Sequence, residues 1–152
     1  MSTSEAFNFK KINEQVATSG LLSQDHLNAL GREGYRAVIN LLPQWHDYAV
    51  QDEQAIVEVQ GVAYHYIPVD FDAPTEADYL EFEDTLLQLA DAKVLLHCAA
   101  NYRVSAFYGI YAVRHLGWSK REAMQHIASI WTLQEYPVWQ AFVTDMLDDA
   151  QA

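Results

Sequence analysis

Three short apolar runs constrain the fold of this chain more than any other feature. They are Ala37-Val38-Ile39-Asn40-Leu41-Leu42, Tyr64 to Val69, and Val94 to His97. Each is four to six residues long, partly β-branched and without polar alternation, the pattern of a strand covered on both faces. A shorter candidate lies at Gln15-Val16-Ala17. Helical patterns separate them. Ser23 caps a helix through Leu27 and Leu30; a second is expected from about Asp47 to Gln60. Thr75 opens a third, with Leu80, Leu86, Leu87 and Ala90 as its inward positions. Val104 to Leu116 reads as an apolar helix, Ser119 to Glu122 as a capping box, and Pro137 precedes a final helix. Strands alternating with helices argue for an α/β domain. Its central, mainly parallel sheet of four or five strands would be flanked by helices, with ligands at the carboxyl ends of the strands.

The 152 residues suffice for a single domain, 1–152, with a real core, and half of them are apolar, which argues against disorder. A lone cysteine excludes an internal disulfide framework and a cysteine-rich zinc site. The stretch MSTSEAFNFKK lacks the apolar core of a secretory signal and no window approaches a membrane span, so a cytoplasmic location is expected. His26, His46, His65, His115 and His126 show no metal-ligand spacing, so neither metal nor other cofactor is expected. A formal charge of −12 disfavours nucleic acid or anionic membrane as partner. The charge is unevenly spread. No lysine or arginine occurs from Ala37 to Ala92, whereas Lys93, Arg103, Arg114, Lys120 and Arg121 face only Glu122.

That basic stretch contains His97-Cys98-Ala99-Ala100-Asn101-Tyr102-Arg103-Val104-Ser105. Cys98 ends a strand, where side chains become accessible, and precedes a helix whose unpaired amides and dipole favour a thiolate. Arg103 offers a planar fork to an oxyanion. A thiolate, converging amides and an arginine are what phosphoryl transfer to sulfur requires. A buried cysteine serving as a small hydrophobe is the alternative.

HCAANYRVS resembles the signature loop of cysteine-dependent protein phosphatases of the dual-specificity type, H-C-x5-R-[ST]. The similarity extends through ATSGLLSQDHLNALGREGYRAVINLLP, like that family's first strand, helix and second strand, and through GVAYHYIPVDFDAPT, like its general-acid loop. In particular, the chain is similar to a small bacterial phosphatase-like branch. The resemblance implies a phosphatase fold and hydrolysis of a phosphate monoester, either phosphotyrosine or phosphoserine in a protein or a small molecule, through a phosphocysteine. Cys98 would be the nucleophile and Arg103 the phosphate-binding arginine. Ala99, Ala100, Asn101 and Tyr102 would form the loop that holds substrate, inorganic phosphate or sulfate. His97 would orient the loop and favour the thiolate, and Ser105 would assist its departure. Asp70 matches the general acid, with Asp72 as the rival.

The loop departs from the pattern in two ways. The spacing is C-x4-R, and no glycine lies between Gly61 and Gly109. Either the loop has lost a residue, or Ser105 keeps its offset and the arginine has moved one place earlier, which would swing its side chain away. Asn101 partly answers the missing glycine because asparagine tolerates left-handed backbone. A shorter loop leaves room for rhodanese-like sulfur transfer or for a catalytically silent anion-binding module. Trp131, Tyr136, Trp139 and Phe142 fit core packing better than a pocket, and Trp45 and His46 are candidates for the rim of the site.

Overall fold

A computed structural model describes residues 2–150. The strands are β1 (Lys10–Lys11), β2 (Val16–Ser19), β3 (Ala37–Asn40), β4 (Ala63–Tyr66) and β5 (Val94–His97), in the sheet order β1-β2-β5-β3-β4. All neighbours are parallel except β1 against β2, giving the expected α/β architecture with a mainly parallel sheet of five strands among the described residues. The helices are α1 (Gln24–Asn28), α2 (Glu53–Glu58), α3 (Glu76–Gln88), α4 (Tyr102–His115), α5 (Lys120–Ala128) and α6 (Pro137–Ala150). None among the described residues is long and apolar enough to cross a membrane.

For β3 and β5 the unalternating apolar runs are explained by two layers of cover, whereas β4, at the sheet edge, is only partly buried, contrary to the expectation for its run. Ile39, Val94 and Leu96 pack with the α3, α4 and α6 side, while Val38 and Leu95 pack with Leu27 and Val57 of α1 and α2. β5 is central, so Val94, Leu95 and Leu96 are fully buried. Chain order runs outward from β2 through β3 to β4 and then returns between β2 and β3 with β5. The loop leaving β5 thus opens at the switch point of the sheet, where crevices form. α4 begins within a few residues, and every residue from Arg103 to Ala112 is buried. A Cβ on Gly109 would lie 3.4 Å from Ile127 Cδ1 and 3.5 Å from Ala123 Cβ, so α5 packs tightly against α4 there.

The periodicity misleads in three places. The expected helix over 47–60 forms only at Glu53–Glu58, because the preceding residues have no apolar stripe to bury: Trp45 and Tyr48 stay exposed. On α3 the inward face is Tyr79, Phe82 and Leu86, whereas Leu80, Leu87 and Ala90 are exposed. Two aromatic rings offer more apolar area than the leucines they displace. The run from Tyr64 to Val69 is a strand only to Tyr66. Pro68 has no N–H for the ladder, although Ile67 and Val69 still donate to Asn40 O and Leu41 O.

His126 of α5 is buried between the rings of Tyr108 and Trp118, with Nδ1 2.9 Å from Lys10 Nζ. Burial, and then the Lys10 charge, pull its pKa down to about 4. A histidine held neutral in the fold and protonating near 6.5 when unfolded contributes stability fully above pH 6.5. That contribution is lost as pH falls toward 4, by roughly 3 kcal/mol over the window. Urea unfolding should therefore show the wild type losing more stability than His126→Gln between pH 7 and pH 4.

Candidate active site

The site begins with how a four-residue turn is held in place. Asn101 adopts left-handed backbone, φ 67°, where a glycine would be expected, and α4 starts at the next residue. Its side chain is committed elsewhere: Nδ2 donates to Asn8 O at 3.0 Å and to Thr18 Oγ1 at 2.9 Å. Asn8 answers in kind, donating Nδ2 to Ala100 O at 3.0 Å. Leu21 N–H donates to Ala99 O at 2.9 Å. The turn sits so close to the end of β2 that a Cβ on Gly20 would lie 2.7 Å from Ala99 O. Only glycine allows that approach.

These bonds turn the carbonyls of Ala99 and Ala100 toward β2 and the N-terminal segment. Among the described residues, the amides of Ala99, Ala100 and Tyr102 donate no hydrogen bond within the protein. Because Asn101 makes no side-chain cap on α4, the first amides of that fourteen-residue helix stay unpaired. Unpaired amides at a helix N-terminus favour an anion.

Ala99, Ala100, Tyr102 and Arg103 line a cleft of about 350 Å³, together with Asp70, Phe71 and Asp72 from the loop after β4. Trp45, His46 and Tyr136 complete its walls, so the two loop residues expected at the rim are there. Arg103 is its only arginine or lysine. The side chain does not swing away: Nε donates to Val69 O at 2.9 Å, and the guanidinium stacks 5.1 Å from the Phe71 ring centre. This bond leaves the two terminal nitrogens for a ligand and ties the cysteine turn to the loop bearing the carboxylates.

Asp70 is exposed, and its Oδ1 accepts from Asp72 N–H at 2.9 Å, closing a local turn. Asp72 is exposed too, and its side chain enters no hydrogen bond among the described residues. Trp139 Nε1 donates to Phe71 O at 2.7 Å, so α6 pins the same loop. The aromatic residues divide their work. Trp131 and Trp139 are buried, Trp131 stacks on Tyr102 at 4.4 Å, and Tyr136 faces the cleft.

Four expected site residues lie behind the cleft. Cys98 is fully buried, contrary to the accessibility expected at a strand end, because its N–H still bonds Ser19 O at 3.3 Å and its side chain joins the core cluster that holds Leu96, Val104 and Phe107. Asn101 is buried with its Oδ1 unpartnered. Ser105 donates its hydroxyl proton to Tyr102 O and accepts from Trp131 Nε1, so it braces the turn and the aromatic wall. His97 is buried, with Nε2 2.6 Å from Glu53 Oε2 and Nδ1 3.5 Å from Cys98 O. Sequence reasoning missed Glu53, Asn8, Thr18 and Gly20. None belongs to a local motif, and only Gly20, just after a candidate strand, carried a signal.

No protein-family model matches the chain. The crystal structure of "Putative phosphatase (DUF442)" from Shewanella putrefaciens CN-32 superposes with a TM-score of 0.86 at 32% identity, covering 97% of this chain and 95% of that one. Tk-PTP in its active form shares the fold, with a TM-score of 0.77 at 23% identity over 93% of this chain and 97% of that one. A "Beta-lactamase hydrolase-like protein" of Xylella fastidiosa (strain Temecula1) is 33% identical over 105 residues, 67% of this chain and 24% of the relative. The chain thus spans about a quarter of the length of the curated relatives it matches. The buttressed cysteine turn, the arginine it delivers to the cleft and the likeness to the Shewanella protein over nearly the whole of both chains lead to one assignment: the chain belongs to the DUF442 family of phosphatase-like proteins.

Proposed function

We propose that this protein hydrolyses phosphate monoesters through a phosphocysteine on Cys98. The observation that carries the reading is juxtaposition: Ala99, Ala100 and Tyr102, whose amides donate no hydrogen bond among the described residues, and Arg103 line one cleft with Asp70 and Asp72. The amides and Arg103 hold the non-bridging oxygens of the phosphoryl group. The Cys98 thiolate attacks phosphorus, forming the S–P bond as the bond to the ester oxygen breaks. One aspartic acid protonates that departing oxygen. Its carboxylate then takes a proton from water, whose oxygen attacks phosphorus, breaks the S–P bond and releases inorganic phosphate and the thiolate. His97 and Ser105 hold the turn from behind. A lone cysteine, unpaired in the structure, agrees with a cytoplasmic setting.

Within the same fold, TpbA of P. aeruginosa has been crystallised in complex with pTyr, its cysteine replaced by serine, and the catalytic domain of the PP-IP phosphatase SIW14 from S. cerevisiae in complex with citrate. Oxyanionic ligands of both kinds are therefore reasonable probes here. A second reading, a catalytically silent anion-binding module, is favoured by the full burial of Cys98 and by the commitment of the Ser105 proton to Tyr102 O.

Hydrolysis of p-nitrophenyl phosphate decides between them. Cys98→Ser should reduce turnover on the order of a thousandfold. No turnover above background in either protein, with tungstate still bound by both, would establish the silent module, whereas equal turnover in both would remove Cys98 as the nucleophile. Arg103→Ala should weaken tungstate binding roughly a hundredfold, the loss of two charged hydrogen bonds.

The acid is identified by leaving group. Replacing the true acid by asparagine should slow an alkyl phosphate by about 10²-fold or more, and p-nitrophenyl phosphate, whose leaving oxygen needs little protonation, far less. Asp70→Asn and Asp72→Asn, measured side by side on both substrates, should show that pattern in only one variant. The absence of any leaving-group dependence in both would remove the two residues from the mechanism together.

A further inference from the structure

Glu53 is the residue that nothing in the cysteine motif explains. It borders an open cleft of about 540 Å³ on the α2 side of the sheet, where water is at hand, yet its side chain is only 7% exposed and points inward. The preceding residue, Asp52, adopts left-handed backbone with φ 59° and makes no side-chain cap on α2. A non-glycine residue in that region is uncommon and signals a local constraint. That backbone delivers Glu53 inward, with its Oε2 2.6 Å from His97 Nε2.

Burying a carboxylate is costly unless it is hydrogen-bonded, and the bond it makes here is short and charge-assisted. Acceptance by Glu53 places a proton on Nε2 of His97 and fixes the ring plane. Nδ1 then faces the backbone oxygen of Cys98, 3.5 Å away, at the point where β5 ends and the turn begins; a carbonyl only accepts, so the contact holds the peptide as a hydrogen bond when Nδ1 carries a proton as well. Asn40, paired with His97 across the sheet, donates to the Tyr64 hydroxyl at 2.9 Å, and that phenol is pushed well above its ordinary range by burial and then by Glu53. The carboxylate thus sits in a packed polar cluster behind the turn.

We propose that Glu53 is a positioning residue of the anion site: through His97 it holds the first peptide of the cysteine turn so that the amides beyond it converge on a bound oxyanion. The inference rests on the reading that this turn binds an oxyanion, but not on turnover.

The test is calorimetric titration of the full chain with tungstate. If Glu53 acts through geometry, Glu53→Ala should weaken binding roughly tenfold, and Glu53→Gln, which keeps an acceptor for His97 Nε2–H, should stay within about threefold of wild type. If the carboxylate matters only as a charge, its removal relieves repulsion of the anion, and both variants should bind tungstate more tightly. That result overturns the proposal, as does wild-type affinity in a folded Glu53→Ala. A purely structural role would lower the midpoint of unfolding in both variants without moving the affinity of the folded protein. Should Glu53→Ala fail to fold, Glu53→Asp keeps the charge but shortens the reach and should weaken binding likewise; wild-type affinity there overturns the proposal. Tungstate binding by the wild type without phosphatase turnover would remove the phosphocysteine chemistry alone, whereas no tungstate binding by the wild type removes both readings.

Discussion

The docking of one short turn onto the end of β2 governs the rest of the site. Gly20 lets the two backbones approach to a distance that any side chain would prevent, and Asn8 and Asn101 exchange side-chain-to-carbonyl hydrogen bonds across the junction. The left-handed backbone of Asn101 starts α4 directly and without a cap. A cap would have occupied the amide of Arg103 or Val104, which instead stays without a side-chain acceptor. The turn is therefore braced on one side and leaves backbone amides unpaired on the other, so a ligand that accepts from those amides would need little further ordering of the chain.

The electrostatics of the cleft arise from a shortage of cations. In a chain with a formal charge of −12, Arg103 is the only lysine or arginine lining the cleft, opposite two aspartates. Arg103 also bonds the backbone of the loop that carries those aspartates. The groups that would hold the phosphate and those that would handle the proton are thus one mechanical unit, fastened a second time by Trp139 on Phe71 O.

Aromatic packing supports that unit from below. Phe71 touches Tyr102, Trp131, Tyr136 and Trp139, so the carboxylate loop, the cysteine turn and α6 share one set of ring contacts. Ser105 joins the set by accepting from Trp131 Nε1. Residues that read as plain core at helical spacing thereby fix the distance between the two loops of the site.

Local chemistry in the sequence determined much of this. Unalternating apolar runs can be satisfied only by strands covered on both faces, which made the α/β class legible. The strand–turn–helix context of Cys98, with Arg103 close behind, made the anion turn legible as well, since both residues lie within a few positions of each other. The inward face of α3 was not legible from leucine spacing, because packing against Phe107 selects Tyr79 and Phe82. Nor was the course of the shortened turn, because it depends on Asn8, Thr18 and Gly20, some eighty to ninety residues away. Side chains that act by bracing distant backbone leave no periodic or local trace. The sequence alone named the groups that an oxyanion site would use; only the tertiary structure decided that Arg103 lines the cleft despite its early position, that Cys98 lies buried in the core, and that the buried His97 beside it is bonded to Glu53, because these placements depend on packing and contacts between distant segments.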